Sequence, residues 1–328
     1  MSAPESARPR VVVTQRIHPE VADLLGTAAE PILNHSVEPL PQAELLRRAQ
    51  DSQALIVFMP DAIDDAFLAA CPSLKIIAAA LKGYDNFDVA ACTRRGIWFT
   101  IVPDLLTAPT AELALALLLG LGRNVSAGDR LVRSGDFRGW RPILYGAGLS
   151  GSTVGLVGFG AVGQALARLL APFGCRVLHF DPQSHAGVPL AELLAASDFV
   201  LPLVPLTPAT RHWFGRDTLA QMKPGAYLVN VARGSVVDEE AVADALEFGR
   251  LAGYAADTFE MEDWARTDRP RAISPRLLAD HERTLFTPHL GSAVARVRLA
   301  VERAAALEVL AVLRGERPPG AINAPAAH

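Results

Sequence analysis

The sequence predicts an α/β protein made of two doubly wound parallel-sheet domains. Three observations point there. Thr153 to Asp181 reads as strand, glycine turn, helix, strand and acid. Short apolar runs alternate with helical segments along most of the chain, the signature of parallel strands joined by crossover helices. The 328 residues, half of them hydrophobic, suffice for two cores.

The glycine turn carries the most specific chemistry. Val154-Gly155-Leu156-Val157 is an apolar run, followed at once by Gly158-Phe159-Gly160-Ala161-Val162-Gly163. Leu166, Leu169 and Leu170 then fall on one side of a helix, and Arg176 to Phe180 is a second run closed by Asp181. This is the layout of a dinucleotide-binding unit. Gly158 permits the tight turn, Gly160 lets a pyrophosphate approach the backbone, and Gly163 lets the helix pack on the strand. The helix start offers free N–H groups and a partial positive charge to the phosphates. Asp181 can accept both adenosine ribose hydroxyls and would repel a 2′-phosphate. No arginine follows it in Pro182-Gln183-Ser184-His185, so NAD is the expected cofactor.

Composition removes other classes. A net charge of −4 argues against nucleic acid. Cys71, Cys92 and Cys175 form no C-x-x-C, so they read as thiols of a reducing compartment, and no metal is expected. Met1 to Arg10 lacks an apolar stretch, so no signal peptide is expected. Leu113 to Leu119 is too short to span a bilayer, so no membrane association is expected and the default location is cytoplasmic.

In chain order, Val11 to Thr14 opens as a strand, and Pro19–Leu25 and Gln42–Ala49 read as helices. Leu55–Phe58, Leu74–Ala79 and Ile97–Thr100 read as strands, with an Asp64-capped helix running to Ala70. These form a first α/β domain, up to about residue 103, without a phosphate loop. Pro103 to Pro109 is a hinge candidate. Thr110 is expected to cap the apolar helix Ala111–Gly122, whose all-round hydrophobicity fits simple burial or a domain or dimer interface. Val125 to Arg141 reads as an exposed helix and arm. Leu190–Ala196, Phe214–Met222 and Glu239–Phe248 are helices, while Phe199–Val204, Ala226–Val231 and Gly253–Ala256 are strands. Pro202 must end the ladder or leave it unpaired on one side. Gly291 to about Leu313 is a long helix returning to the first domain, and Glu316 to His328 is a loose tail.

Three polar residues stand near strand ends in the second half: Arg233, Glu262 and His289. Ligands of open α/β sheets bind outside the carboxyl ends of the strands. An arginine binds an anion, a histidine carries a proton near neutral pH, and a carboxylate orients it. That trio suits hydride chemistry on an anionic substrate.

Gly158-x-Gly160-x-x-Gly163 with Asp181, Asn230-x-x-Arg233-Gly234, Asp257-x-Phe259-Glu260-x-Glu262 and Pro288-His289-x-Gly291 resemble the D-2-hydroxyacid dehydrogenase family. The resemblance covers nearly the whole chain. It implies a Rossmann NAD domain, residues 104–294, inserted in a flavodoxin-like substrate domain made of 1–103 and 295–328. It also implies a homodimer, with His289 and Glu262 as the acid/base pair and Arg233 as substrate anchor. Leu106, Thr110, Ala161, Val162, Val231, Ala232, Arg233, Asp257, His289 and Ser292 would line the cofactor with the glycines.

Within the family the closer resemblance is to phosphite (phosphonate) dehydrogenases. It rests on Phe58-Met59-Pro60-Asp61, Ala80 to Asp88, Val102 to Thr107, Gly139-Trp140-x-Pro142 and, above all, Phe259 to Arg266. It implies that Lys82, Arg233 and Arg298 hold the phosphite oxygens. Met59 and Gly83 would shape that site, and Trp140 and Tyr145 would close it, with a partner subunit as one source. Lys82, at a strand end of the first domain, would then face Arg233 across a cleft. The sequence departs from that likeness at Val231-Ala232, where a Pro-Cys pair is expected, at the short segment Gln183–Pro189, and at Pro202. Either His289 or Arg233 could take the proton of water. Two alternatives stand beside this reading: a dehydrogenase of a D-2-hydroxy acid such as glycerate (the glycerate/hydroxypyruvate pair), and a non-enzymatic NAD-sensing partner protein.

Overall fold

The computed structural model describes residues 8–102, 104–181 and 187–325. The expectations for the first residues, for Pro103 and for the segment after Asp181 therefore fall wholly or partly outside the described residues. The chain forms two compact units, Met1–Leu106 with Val294–His328, and Thr107–Ala293.

The first unit runs β1 (Arg10–Val13), α1 (Pro19–Gly26), β2 (Glu30–Leu33), α2 (Gln42–Ala49), β3 (Ala54–Val57), α3 (Asp65–Ala69), β4 (Ile76–Ala79), α4 (Val89–Arg94) and β5 (Trp98–Thr100). Its sheet has the order β2-β1-β3-β4-β5 and is parallel throughout. β3 and β4 are fully buried because both sheet faces are covered, which is why they read as continuous apolar runs. Asp64 caps α3 by accepting the Phe67 N–H at 2.8 Å. β2 escapes the sequence pattern because it is an edge strand containing Pro31 and has no fully buried residue.

The second unit starts with α5 (Thr107–Gly122) and α6 (Val125–Arg133). It continues with β6 (Thr153–Val157), α7 (Ala161–Leu170), β7 (Arg176–Phe180), α8 (Leu190–Ala196), β8 (Phe199–Pro202), α9 (Arg216–Gln221), β9 (Ala226–Asn230), α10 (Glu239–Glu247), β10 (Leu251–Ala256), α11 (Pro275–Ala279) and β11 (Thr284–Phe286). Its sheet is β11-β10-β9-β8-β6-β7, again parallel throughout. β8 pairs with β9 only at Phe199 and Val200 and ends at Pro202, as a residue lacking an N–H requires. α12 (Ala295–Leu313) then completes the core of the first unit, burying Val301, Ala305, Ala306 and Val309.

Several expectations change. α5 begins at Thr107, so Thr110 lies inside it and does not cap it, and Pro109 sits in the first turn, where its missing N–H costs nothing. The last helix starts at Ala295, leaving Gly291 to Val294 as a turn. The exposed helix α6 stops at Arg133, and the arm after it carries no regular structure. The C-terminal segment is not loose through its described part. Ile322 N–H donates to Phe99 O at 3.0 Å and Asn323 Nδ2 to Ile97 O at 2.9 Å, so it covers the open edge of β5.

Candidate active site

The glycine turn has the geometry a dinucleotide needs. Gly158 has φ +107°, which only glycine adopts easily, and a Cβ there would meet Leu203 O at 2.6 Å. A Cβ on Gly163 would meet Gly158 O at 2.6 Å, so this glycine allows helix and turn to touch. A Cβ on Gly160 would meet nothing within 4 Å, and no side chain caps the start of α7. The first N–H groups of Ala161, Val162 and Gly163 are thus left to an incoming anion. Asp181 lies at the end of β7 and its Oδ2 accepts the Phe159 N–H at 2.8 Å, which ties the second strand to the turn. The residues present fit NAD, which supplies a hydride acceptor when bound.

Downstream on the same sheet, three strand ends carry the other polar candidates, and the Arg233 guanidinium donates to Ala232 O at 2.9 Å. After β9, buried Asn230 folds the chain back on itself. Its Oδ1 accepts the Ala232 N–H at 3.0 Å and its Nδ2 donates to Arg233 O at 3.0 Å. Val231 is buried beside it and the Arg233 side chain is half-buried. Gly234 follows because a Cβ would lie 1.9 Å from the Phe259 carbonyl carbon. The Arg233 turn therefore packs directly on the backbone that leads to Glu262. After β10, Asp257 is buried and its carboxylate organises the loop beyond β11. It accepts the Thr287 hydroxyl at 2.6 Å and the N–H groups of Leu290 and Gly291 at 2.6 and 2.9 Å. Burial pushes the Asp257 carboxyl up from its ordinary range, against those bonds.

That loop presents His289 in a left-handed conformation, φ +56°, with its N–H on Asp257 O. Such a backbone is uncommon outside glycine and here the Asp257 clamp enforces it. His289 Nδ1 lies 2.6 Å from Glu262 Oε2. Glu262 Oε1 accepts the Phe259 N–H at 2.8 Å, so the carboxylate is itself fixed. A histidine oriented at Nδ1 leaves Nε2 for a proton transfer. A Cβ on Gly291 would come 3.4 Å from the Thr110 hydroxyl and 3.3 Å from Asp257, so α5 borders this loop, and Ser292 follows it.

The structure adds residues that sequence reasoning used only as a family marker. In Phe259 to Arg266, Glu260 accepts from His212 Nε2 at 2.7 Å and from the Glu239 N–H at 3.2 Å. Asp263 accepts the Ser235 N–H at 3.0 Å, and Arg266 donates to the Ser235 hydroxyl. Together they lock the turn after Arg233 to the turn carrying Glu262. Four acids in one short stretch, Asp257, Glu260, Glu262 and Asp263, were the available signal.

In the first unit, Lys82 and Gly83 follow β4, Met59 follows β3, and Arg298 lies in the first turns of α12. The two strand ends are tied, since Asn86 Nδ2 donates to Met59 O at 3.0 Å. Among the described residues no carboxylate pairs with Lys82. The Arg298 guanidinium lies over the Phe58 ring, 5.5 Å from its centre, and burial pulls its pKa down. Buried Asp61, missed from sequence, accepts the Phe58 N–H at 2.7 Å and the Thr14 hydroxyl at 2.5 Å. Leu106 packs on the core of this unit. Trp140 and Tyr145, 84% and 78% exposed, stand on the arm after α6. Cys71 and Cys92 are buried, which pushes their thiols up to about 11 and about 12.

A bare helix start behind a glycine turn, on the same sheet as a carboxylate-held histidine, defines an oxidoreductase that uses NAD. Residues 115–291 match the family model for the D-isomer specific 2-hydroxyacid dehydrogenase NAD-binding domain. The chain is 37% identical to glyoxylate reductase of Pyrococcus furiosus, over 96% of each chain. It is 36% identical to glyoxylate reductase of Thermococcus litoralis, over 96% of this chain and 97% of the other. Among solved structures it is similar to the TT0316 protein of Thermus thermophilus, with a TM-score of 0.86, 37% identity and coverage of 95% and 99%. It is also similar to an NADPH-dependent glyoxylate/hydroxypyruvate reductase of Sinorhizobium meliloti in complex with NADP and malonate, with a TM-score of 0.82, 28% identity and coverage of 96% and 97%. The chain belongs to the D-isomer specific 2-hydroxyacid dehydrogenase family. These named relatives are not phosphite dehydrogenases, so the closer likeness drawn from the sequence has no counterpart among them. No helix among the described residues is long and apolar enough to cross a membrane, and no group of three His, Cys, Asp or Glu side chains could hold a metal there.

Proposed function

We propose that the chain oxidises phosphite to phosphate with NAD. What supports this reading is the cation content of the first unit, Lys82, with which no carboxylate pairs among the described residues, and half-buried Arg298, which lies 4.0 Å from Glu302, together with the Arg233 that the second unit offers. Phosphite near neutral pH is largely a dianion. Several charge-assisted contacts suit it, whereas a monocarboxylate is satisfied by one arginine. In this reading Lys82, Arg298 and Arg233 hold the phosphite oxygens. His289, oriented by Glu262, takes a proton from the water that attacks phosphorus. NAD, when bound, would supply the hydride acceptor: as the new P–O bond formed, the P–H bond would break with its electron pair going to NAD, so that phosphate, NADH and one proton to solvent would result. Trp140 and Tyr145 belong to a homodimer interface on this reading, because an arm that exposes Phe137, Trp140, Ile143, Leu144 and Tyr145 needs a cover.

The second reading is reduction of glyoxylate or a related 2-oxo acid, with D-glycerate as a reverse-direction substrate. The relatives' names favour it over phosphite oxidation. Here Arg233 anchors the carboxylate and His289 donates the proton to the reduced oxygen. A non-enzymatic NAD sensor is disfavoured by the 2.6 Å His289–Glu262 contact, which binding alone does not require. The test is NADH absorbance. Phosphite plus NAD should produce NADH with a higher kcat/KM than D-glycerate plus NAD. No NADH from phosphite, with NADH consumed on adding glyoxylate, would establish the second reading in its place.

A further inference from the structure

The turn that carries Glu262 is bonded to two histidines. Among the described residues four non-glycine residues stand on left-handed backbone, and two of them are histidines paired with glutamates of the turn Glu260–Glu262. His289, φ +56°, lies 2.6 Å from Glu262, and His212, φ +50°, places Nε2 2.7 Å from Glu260 Oε2. Such a backbone is unfavourable for a residue with a side chain and persists only where bonds hold it. At His212 one such bond is its N–H, which donates to Ser235 O at 2.7 Å in the turn after Arg233. The loop between β8 and α9 thus delivers the ring to Glu260. Glu260 is buried, and so is its neighbour Glu239. Each accepts the other's backbone N–H, at 3.2 and 2.8 Å. Burial pushes the Glu239 carboxyl up from its ordinary range, and the Glu260 charge adds to the push. Two acids this close repel, so Glu260 needs a donor on its second oxygen. His212 is that donor, since Arg266 Nη1 stands 3.7 Å from the same oxygen, beyond hydrogen-bond range.

We infer that His212 is a positioning residue for the proton-transfer pair: its ring fixes Glu260, and through the single turn Glu260–Glu262 it fixes the carboxylate that orients His289. The path is short. Glu262 N–H donates to Phe259 O at 3.0 Å and Phe259 N–H to Glu262 Oε1 at 2.8 Å, so a displaced Glu260 disturbs both bonds that hold Glu262. The inference rests on the assignment of His289 and Glu262 to proton transfer made above, but not on which anion is the substrate.

The test is steady-state kinetics of the full chain with phosphite and NAD, or with glyoxylate and NADH if only that turns over. His212→Ala should lower kcat by about three- to thirtyfold, the scale on which members of one hydrogen-bond network couple. Both KM values should stay within about twofold, because the backbone N–H on Ser235 O is kept and the Arg233 turn with it. His212→Gln, whose amide nitrogen can reach the place of Nε2, should recover most of the loss, and no recovery would overturn the role given to the ring. The decisive arm is a Glu262→Gln background. There His212→Ala should cost less than about twofold more, since its effect runs through Glu262. A merely structural His212 would cost the same factor in both backgrounds, and that result overturns the inference. Should His212→Ala fail to fold, His212→Asn gives an independent reading, because asparagine tolerates left-handed backbone but is too short to fill the place of Nε2. Parental kcat in His212→Asn would overturn the inference. Amide hydrogen exchange of the NAD-loaded chain reads the same point without turnover: the Phe259–Glu262 segment should exchange faster in His212→Ala, and unchanged protection overturns the inference. Glu262→Gln alone separates the two levels. Parental kcat there removes the proton-transfer pair and the inference with it. A lowered kcat there, with parental kcat in His212→Ala, removes the inference alone.

Discussion

The turn leaving β1 and the turn leaving β6 occupy the same place in their sheets, each between the second and third strands in chain order. They present opposite surfaces. After β6, three glycines strip side chains from the turn and α7 begins uncapped. After β1, Gln15-Arg16-Ile17-His18 fill the turn and Glu302 occupies the helix start. The physics is the same, since exposed N–H groups and a positive helix end attract an anion. The second unit leaves that place to the phosphates of a cofactor. The first satisfies it with its own carboxylate, and its proposed ligand-binding charge lies elsewhere, at Lys82 and Arg298. A doubly wound sheet therefore does not by itself make a nucleotide site; bare backbone at the first crossover does.

The comparison predicts that damage to the second unit lowers turnover or cofactor affinity, and that damage to the first raises the substrate KM. The largest effect should come from His289→Ala, with kcat down by roughly 10²–10⁴, the usual range for a positioned acid/base. NAD should still bind, as fluorescence titration would show, and near-normal turnover would exclude His289 as the base. Next is Lys82→Ala. Loss of one charge-assisted contact costs about 1.5–3 kcal/mol, so the phosphite KM should rise at least about tenfold while the NAD KM barely moves. An unchanged phosphite KM would remove Lys82 from the anion site and blur the division between the units. Asp181→Ala should weaken NAD by about tenfold on the same reasoning and narrow the gap to NADP. Equal kcat/KM of the parent enzyme with both cofactors would sink the role given to Asp181.

The smallest effect on activity is expected at Asp61, and its readout is stability. Burial raises its carboxyl from 3.8 to about 6 in the fold, against the bonds from Thr14 and Phe58. Between those two pH values the unfolded chain releases the proton and the folded chain keeps it, so stability falls as pH rises through this window. The shift corresponds to at most about 3 kcal/mol, fully felt above the folded pKa. Asp61→Asn keeps an acceptor for Phe58 N–H and removes the charge. Denaturant midpoints should then lose that part of the decline, and an unaltered pH profile would show that Asp61 does not carry it.

Much of this protein was legible in one dimension. The strand–glycine–helix–strand–acid order is local, and its steric demands act between residues close in sequence, so Gly158, Gly160, Gly163 and Asp181 could be read directly. Buried parallel strands showed as apolar runs, except the edge strand β2, whose partial exposure erases the pattern. Arg233, Glu262 and His289 could be listed from sequence, but their meeting could not. The 2.6 Å His289–Glu262 contact depends on β10 and β11 lying side by side, and on Asp257 bending the loop through bonds that span more than thirty residues. The supports of the first unit were invisible for the same reason. His18 and Glu302 are 284 positions apart. Sequence alone determined which groups the chain carries and where its backbone must be bare. Only the tertiary structure decided which buried carboxylate holds which donor, because burial and hydrogen-bond geometry are set by neighbours in space, supplied by the pairing of β10 with β11 in the second unit and by the return of α12 into the first.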